Sequence, residues 1–338
     1  CFYCDWLIRA GVESGSGPGG IKVYIQPGTQ DIEGLATNFG TFSELDLTCW
    51  AEIYSYIDDP ENGTLLYEDN ITNIDLDVPL GGTETLVFDD FNFADEGIYG
   101  LFLDMPNEDD DKPNNNDAAW GIGVDDTDAV SSHALDPATP DGDNNWYVSD
   151  VEVTLDAYDP EVLGVSSGVK EMKYKVDGGT TQTIVGNHGT FVLDTDKDNL
   201  PVEYWAIDNV GNEESHHTFT IDMDQTDPLI DMTYEWENNP GSDGGWLMTF
   251  NATATDATSK MDRVEFYLND VLQDTVTGPG PTYIWQFVYH GGLKITIKAT
   301  GFDKAGNNKY DEIVDPESFN INTNSQKLVQ KSVEILGL

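Results

Sequence analysis

The chain has 338 residues, with 63 acidic and 15 basic side chains and a net charge of −48. That surface repels nucleic-acid phosphates and anionic lipid headgroups, so neither is expected as a partner, and only Arg9 and Arg263 carry the guanidinium suited to phosphate. Apolar residues make up 38%, with 8 Trp, 15 Tyr and 14 Phe, enough for packed cores; no apolar run approaches a membrane span, so no membrane insertion of this chain is expected.

Residues 1–20 divide into an aromatic head, Cys1-Phe2-Tyr3-Cys4-Asp5-Trp6-Leu7-Ile8, and a tether, Gly15-Ser16-Gly17-Pro18-Gly19-Gly20. A sticky strand on a glycine-rich leash is not the usual start of a self-contained domain. A first domain is expected over residues 21–124. Ile21/Val23/Ile25 form one strand there, and Leu45, Leu47, Cys49, Ala51 and Ile53 alternate as the inward face of another that ends where Ser55 interrupts it. Ile74/Leu76/Val78/Leu80 and the run from Ile98 to Leu103 add two more, and a polar loop over residues 108–117 precedes the last.

A second domain, residues 125–224, has period-two runs at Val151/Val153/Leu155/Ala157, Met172/Tyr174/Val176, Phe191 to Leu193, Val202/Tyr204/Ala206 and Phe219/Ile221. Asp177-Gly178-Gly179 marks a hairpin turn within it. A third, residues 225–322, repeats the scheme at Ile230/Met232/Tyr234, Met248/Phe250/Ala252/Ala254, Val264/Phe266/Leu268, Tyr283/Trp285/Phe287, Leu293/Ile295/Ile297/Ala299 and Phe319/Ile321. The tail, residues 323–338, is too short to fold alone and is expected to dock as a short helix or a free strand. Many short strands and almost no helical periodicity predict an all-β fold, a tandem array of three Ig-like β-sandwiches with under about a tenth of residues in helix.

The last two domains share ordered motifs. Asp143-Asn144-Asn145-Trp146 returns as Asp243-Gly244-Gly245-Trp246, Ser167-Gly168-Val169 as Ser259-Lys260-Met261, and Asp208-Asn209-Val210-Gly211-Asn212 as Asp303-Lys304-Ala305-Gly306-Asn307. Spacings of 100, 92 and 95 residues fit one small sandwich per repeat. The pattern of Asp143 and Trp146, then Ser167 to Gly178, then Glu203 to Glu214, resembles the bacterial-Ig-like repeats of archaeal and bacterial cell-surface proteins. The third domain departs from it at Lys260, and the first is similar, through Asn38-Phe39-Gly40-Thr41, to the cell-adhesion-related sandwiches found beside such repeats. The resemblance implies a secreted, surface-attached setting and brings no catalytic residues.

Two carboxylate clusters are candidates for calcium, the hard cation that oxygen ligands suit; no organic cofactor is expected. Asp194, Asp196 and Asp198 alternate in one loop, which is either a cation loop or an acidic hairpin. Asp125, Asp126 and Asp128 match Asp224 and Asp227 at the two domain boundaries, where shared carboxylates can stiffen a joint. Asn62, Asn70 and Asn251 begin N-x-T glycosylation sequons, so glycans are possible partners. Cys1 or Cys4 is placed to bridge to Cys49 in an oxidising exterior, the alternative being thiols that stay unpaired or buried.

The five histidines show no metalloprotease motif or metal-ligand spacing, and no nucleophile elbow is present, so the chain is not expected to be an enzyme. The leader expected of a secreted protein is not visible, which suits a chain from which it has been removed. The expectation is an extracellular structural protein that polymerises with copies of itself as a filament, pilus-like fibre or surface layer. The assembly residues would be Phe2, Tyr3, Trp6, Leu7 and Ile8, donated head to tail to a neighbour's sheet edge. The alternative is an adhesin or carbohydrate-binding surface module.

Overall fold

Alternation of apolar and polar residues places strands along nearly the whole chain, and 68% of it is strand. The structure is a computed structural model that describes residues 2–7, 12–13, 21–38, 44–56, 62–76, 82–106, 117–239, 241, 244–291, 295–314 and 330–331. Among the described residues the helical content is one 3-10 turn, Asp143–Asn145, and no helix is long and apolar enough to cross a membrane.

The first group of strands is β1 (Phe2–Leu7), β2 (Val12–Glu13), β3 (Ile21–Ile25), β4 (Gly28–Gln30), β5 (Glu33–Asn38), β6 (Glu44–Ser55), β7 (Thr64–Leu76), β8 (Gly82–Val87), β9 (Phe91–Phe93), β10 (Gly97–Asp104) and β11 (Asp117–Val124). They form a sheet β1-β5-β8, a sheet β2-β3-β11-β10-β6-β7 and a small β4-β9 pair. The two larger sheets meet through a core that includes Ala36 and Leu86 from one and Cys49, Ile53, Leu101 and Ile122 from the other.

The second group is β12 (Val130–Asp136), β13 (Trp146–Tyr147), β14 (Val151–Tyr158), β15 (Val169–Val176), β16 (Gln182–Val185), β17 (His188–Leu193), β18 (Lys197–Asp208) and β19 (His217–Met223). Sheets β12-β14-β17 and β13-β19-β18-β15-β16 enclose Val153, Leu155, Met172, Val202 and Ile221. Positive φ at Asp177 and Gly178 makes the tight turn after β15 that the sequence predicts.

The third group is β20 (Leu229–Asn238), β21 (Trp246–Thr255), β22 (Met261–Leu268), β23 (Val271–Thr277), β24 (Thr282–Tyr289), β25 (Thr296–Asp303), β26 (Asn308–Val314) and β27 (Gln330–Lys331). Sheets β24-β21-β20-β27 and β23-β22-β25-β26 share a core around Phe250, Phe266, Tyr283 and Ile297. Among the described residues the architecture is thus all-β, with paired sheets around three large cores.

Several expectations change in detail. Leu45, expected inward, is 57% exposed, because Asp46 adopts a left-handed φ and the register with β7 shifts there, which turns the side chain over. Ser55 does not end the inward face of β6; it is buried. The head is expected from sequence to pair with a neighbouring molecule, but β1 lies antiparallel to β5 of its own chain, Phe2 opposite Asn38 and Leu7 opposite Glu33. The tail docks as a strand, Gln330–Lys331 pairing with Tyr234 and Thr233 of β20. Ile8, Val78, Leu80, Leu293, Phe319, Ile321 and residues 107–116 lie outside the described residues.

The groups touch directly. Ile21 and Tyr24 of β3 bury themselves with Val165, and Ile98 and Val210 pack around them. Fully burying an aliphatic side chain contributes roughly 1.5–3 kcal/mol, so this small cluster resists bending at the first joint. Gln26 Nε2 also donates to Asn212 Oδ1 at 2.7 Å. At the second joint the Asp143 amide donates to the Ala305 carbonyl at 2.7 Å and Asn144 Nδ2 to the Lys304 carbonyl at 2.8 Å.

Candidate functional site

Chain continuity places one aspartate just beyond the last strand of each of the first two sandwiches. Asp125 follows β11 and Asp224 follows β19, and both are fully buried. Their amides donate to Ile25 O and Tyr147 O, each at 2.9 Å, which seats both residues alike. Asp125 Oδ1 accepts from the Thr127 amide and Asp224 Oδ1 from the Thr226 amide, both at 3.2 Å. Their second oxygens reach into the next sandwich, Asp125 Oδ2 to the Ser167 amide at 2.7 Å and Asp224 Oδ2 to the Ser259 amide at 3.0 Å.

The next sandwich returns two further carboxylates to the same place. Asp208 ends β18 and Asp303 ends β25, each opening a D-x-x-G-N turn. The glycines of these turns, Gly211 and Gly306, have φ of +106° and +100°, a conformation that a side chain would strain. Asp208 Oδ1 accepts from the Gly211 and Asn212 amides, and Asp303 Oδ1 from the Gly306 and Asn307 amides, at 2.5–2.9 Å. The asparagines then clamp across the joint, Asn212 Nδ2 to the Asp125 carbonyl at 3.0 Å and Asn307 Nδ2 to the Asp224 carbonyl at 2.7 Å. The third members are Asp159, after β14, and Asp256, after β21.

In both triads, Asp125/Asp159/Asp208 and Asp224/Asp256/Asp303, one oxygen from each residue lies within 4.8 Å of the others. Two oxygens on opposite sides of one calcium ion stand about 4.8 Å apart, twice the usual bond of about 2.4 Å. The spacing and the donor set therefore suit that ion. Without one the arrangement is costly: two unit charges 4.8 Å apart repel by roughly 3.5 kcal/mol at an effective dielectric of about 20. Burial accordingly raises the carboxyls of Asp159, Asp208 and Asp224 above the usual range and pushes Asp303 up to about 6, with Asp224 beside it adding to the rise. Asp159 Oδ1 is buried and has no hydrogen-bond partner.

The structure brings Asp125 and Asp224, anticipated from the sequence, into these triads, whereas Asp126, Asp128 and Asp227 are exposed beside them. Asp194, Asp196 and Asp198 do not converge. Asp196 instead accepts from the Gln225 amide at 2.7 Å and from Thr226 Oγ1 at 2.5 Å, bracing the second joint. Asp159 and Asp256 were missed, although Ala157-Tyr158-Asp159 and Ala254-Thr255-Asp256 repeat one another. Asn62 and Asn70 are exposed; Asn251 is half-buried in β21 between β20 and β24. Cys49 is buried in the first core, while Cys1 and the side chains of residues 2–7, the other partners of the expected bridge and of the assembly head, lie outside the described residues.

No family model and no curated protein matches the chain, so the resemblance to bacterial-Ig-like repeats stands on the motifs quoted above. Among solved structures, a 1.5-MDa bacterial ice-binding adhesin studied for host cell surface retention aligns with 15% identity and a TM-score of 0.34, over 92% of this chain and 96% of that one. The fibronectin(III)-like modules of Clostridium thermocellum CbhA align with 13% identity and a TM-score of 0.24, over 54% and 92%.

Proposed function

We propose that the chain is an extracellular structural protein, a rod of three Ig-like modules over residues 21–124, 125–224 and 225–322, whose two joints are fixed by calcium. The observation that carries this is the same three-aspartate joint built twice, two members buried and one half-buried, with matching hydrogen bonds from the Ser167 and Ser259 amides and from Asn212 and Asn307. A linker meant to flex has no use for carboxylates that bridge two modules, whereas a cation shared across the boundary restricts rotation about it. Calcium should therefore raise the melting temperature and chelation lower it, by mass action on the folded form. Magnesium should act more weakly, since it dehydrates reluctantly and demands a stricter octahedron. If sodium chloride at equal ionic strength gives the same shift, the effect is charge screening and the cation joint is refuted.

The rod serves as the subunit of a surface filament, pilus-like fibre or surface layer, and β1 joins one copy to the next. Among the described residues this strand is at the edge of its sheet and pairs with β5 alone. Its glycine-rich tether allows β1 of a neighbour to take the same register on β5, an exchange that repeats head to tail and need not close into a ring. Negative-stain imaging of the native material separates filament, sheet and monomer.

A further inference from the structure

The outer face of the first sandwich carries a groove of 190 Å³ lined by Trp50, Glu52, Glu68, Phe102 and Asp104. Register explains the grouping. Across β7, β6 and β10 one row reads Glu68, Glu52, Phe102, and the adjoining row reads Asn70, Trp50, Asp104. Trp50 is 37% exposed, which leaves a large part of its ring open to a partner. Phe102 is held edge-on by Tyr54, with ring centroids 5.4 Å apart and planes at 90°. Gly100 leaves room for the Phe102 and Tyr56 rings, since a Cβ there would come within 2.9 Å of both.

Glu52 and Glu68 stand directly opposite one another on neighbouring strands, a like-charge pairing that weakens a sheet. Among the described residues neither makes an ion pair; Glu52 accepts only from Tyr54 Oη, at 3.0 Å. Ring faces and carboxylates attract the same kind of group, a cation. The charged lining residues accept hydrogen bonds and do not donate them, which fits ammonium or guanidinium better than a sugar, whose hydroxyls need both. Size agrees, because 190 Å³ is below the about 300–1,000 Å³ of sites for drug-sized ligands and suits a single side chain.

We propose that this groove receives an arginine or lysine side chain from a basic partner polypeptide, which the charge of −48 steers toward it. The test follows the Trp50 indole N–H by nuclear magnetic resonance on the full chain at physiological salt. It is titrated with acetyl-arginine amide and acetyl-lysine amide, and separately with a neutral disaccharide and with spermidine. A saturable shift with the amino-acid amides is expected, weakened at least tenfold in a Glu52→Gln/Glu68→Gln variant. An Asp194→Asn/Asp227→Asn variant, which removes as much charge elsewhere on the surface, should bind as the wild type does. Equal weakening in both variants, a response to the disaccharide in place of the amides, tighter binding of spermidine than of the amides, or no saturable shift would each overturn the assignment.

Discussion

The second joint contains a carboxyl whose ionisation opposes the fold that holds it. Asp303 is 1% exposed and faces Asp224 and Asp256, and its pKa rises from the ordinary 3.8 to about 6. The folded chain therefore holds this proton more tightly than the unfolded chain does. The stability it contributes is fully present below about pH 4 and is lost as pH rises through about 6, an upper limit of roughly 3 kcal/mol at about 1.4 kcal/mol per pH unit. In chelator, urea unfolding followed by tryptophan fluorescence should show the third sandwich weakening between about pH 5 and about pH 7.5. Asp303→Asn stays neutral across that range, so its stability should fall by up to about 1.4 kcal/mol less, the one pH unit between about 5 and about 6 that this window shares with the shift. The variant also disturbs the contact with Asn307 Nδ2, but that loss is the same at both pH values and cancels from the slope. Calcium at 100 times its dissociation constant should restore about 2.7 kcal/mol to the wild type at the higher pH, and less at the lower, where protons compete. Equal slopes for wild type and variant in chelator would refute the reasoning, since general repulsion among surface carboxylates acts on both.

Deleting residues 1–12 should leave a folded chain that no longer polymerises; assembly equal to the full chain by negative stain would refute strand exchange. Gly142→Ala should loosen the second joint, because the new Cβ would lie 2.5 Å from the Ala305 carbonyl oxygen, and small-angle scattering in calcium should then report a broader distribution of shapes. Glu214→Ala should destabilise the second sandwich by about 2–5 kcal/mol in thermal unfolding, since the buried carboxylate accepts from the amides of Ser131 at 3.1 Å and Ala206 at 2.7 Å and both would lose their acceptor.

Strands were legible wherever a side-chain alternation ran unbroken, as along Val151 to Ala157 and Met248 to Ala254. They were less so where geometry breaks the period: nothing in the alternation around Leu45 announces that Asp46 turns left-handed. β12 and β23 went unrecognised because almost none of their residues is buried, so no apolar core face sets up an alternation. The joints were half visible. Asp125 and Asp224 stand at repeat boundaries and are legible as carboxylates of a joint, whereas Asp208 and Asp303 open matching turns and read only as punctuation. Their convergence with Asp159 and Asp256 depends on which strand ends share a pole of the sandwich, a consequence of sheet order that no local window contains. The acidic background hid it further, since 63 carboxylates make any cluster unremarked in sequence.

The direction of the terminal strands bears on how the molecule carries a load. β3 runs parallel to β11, with Ile122 beside Val23 and Val124 beside Ile25, and β13 runs parallel to β19, with Trp146 beside Asp222 and Tyr147 beside Met223. In the first sandwich the strand that follows residues 15–20 and the strand at the exit lie side by side and point the same way; in the second, β12 comes first and β13 after it takes that place beside the exit strand. A pull on the two ends then slides one strand along the other, and the hydrogen bonds between them are strained together in shear. An antiparallel pair pulled from its open end would instead unzip bond by bond, at much lower force. Tension along the backbone thus meets its resistance in a short ladder of the first two sandwiches, next to the aspartates that tie each to its successor.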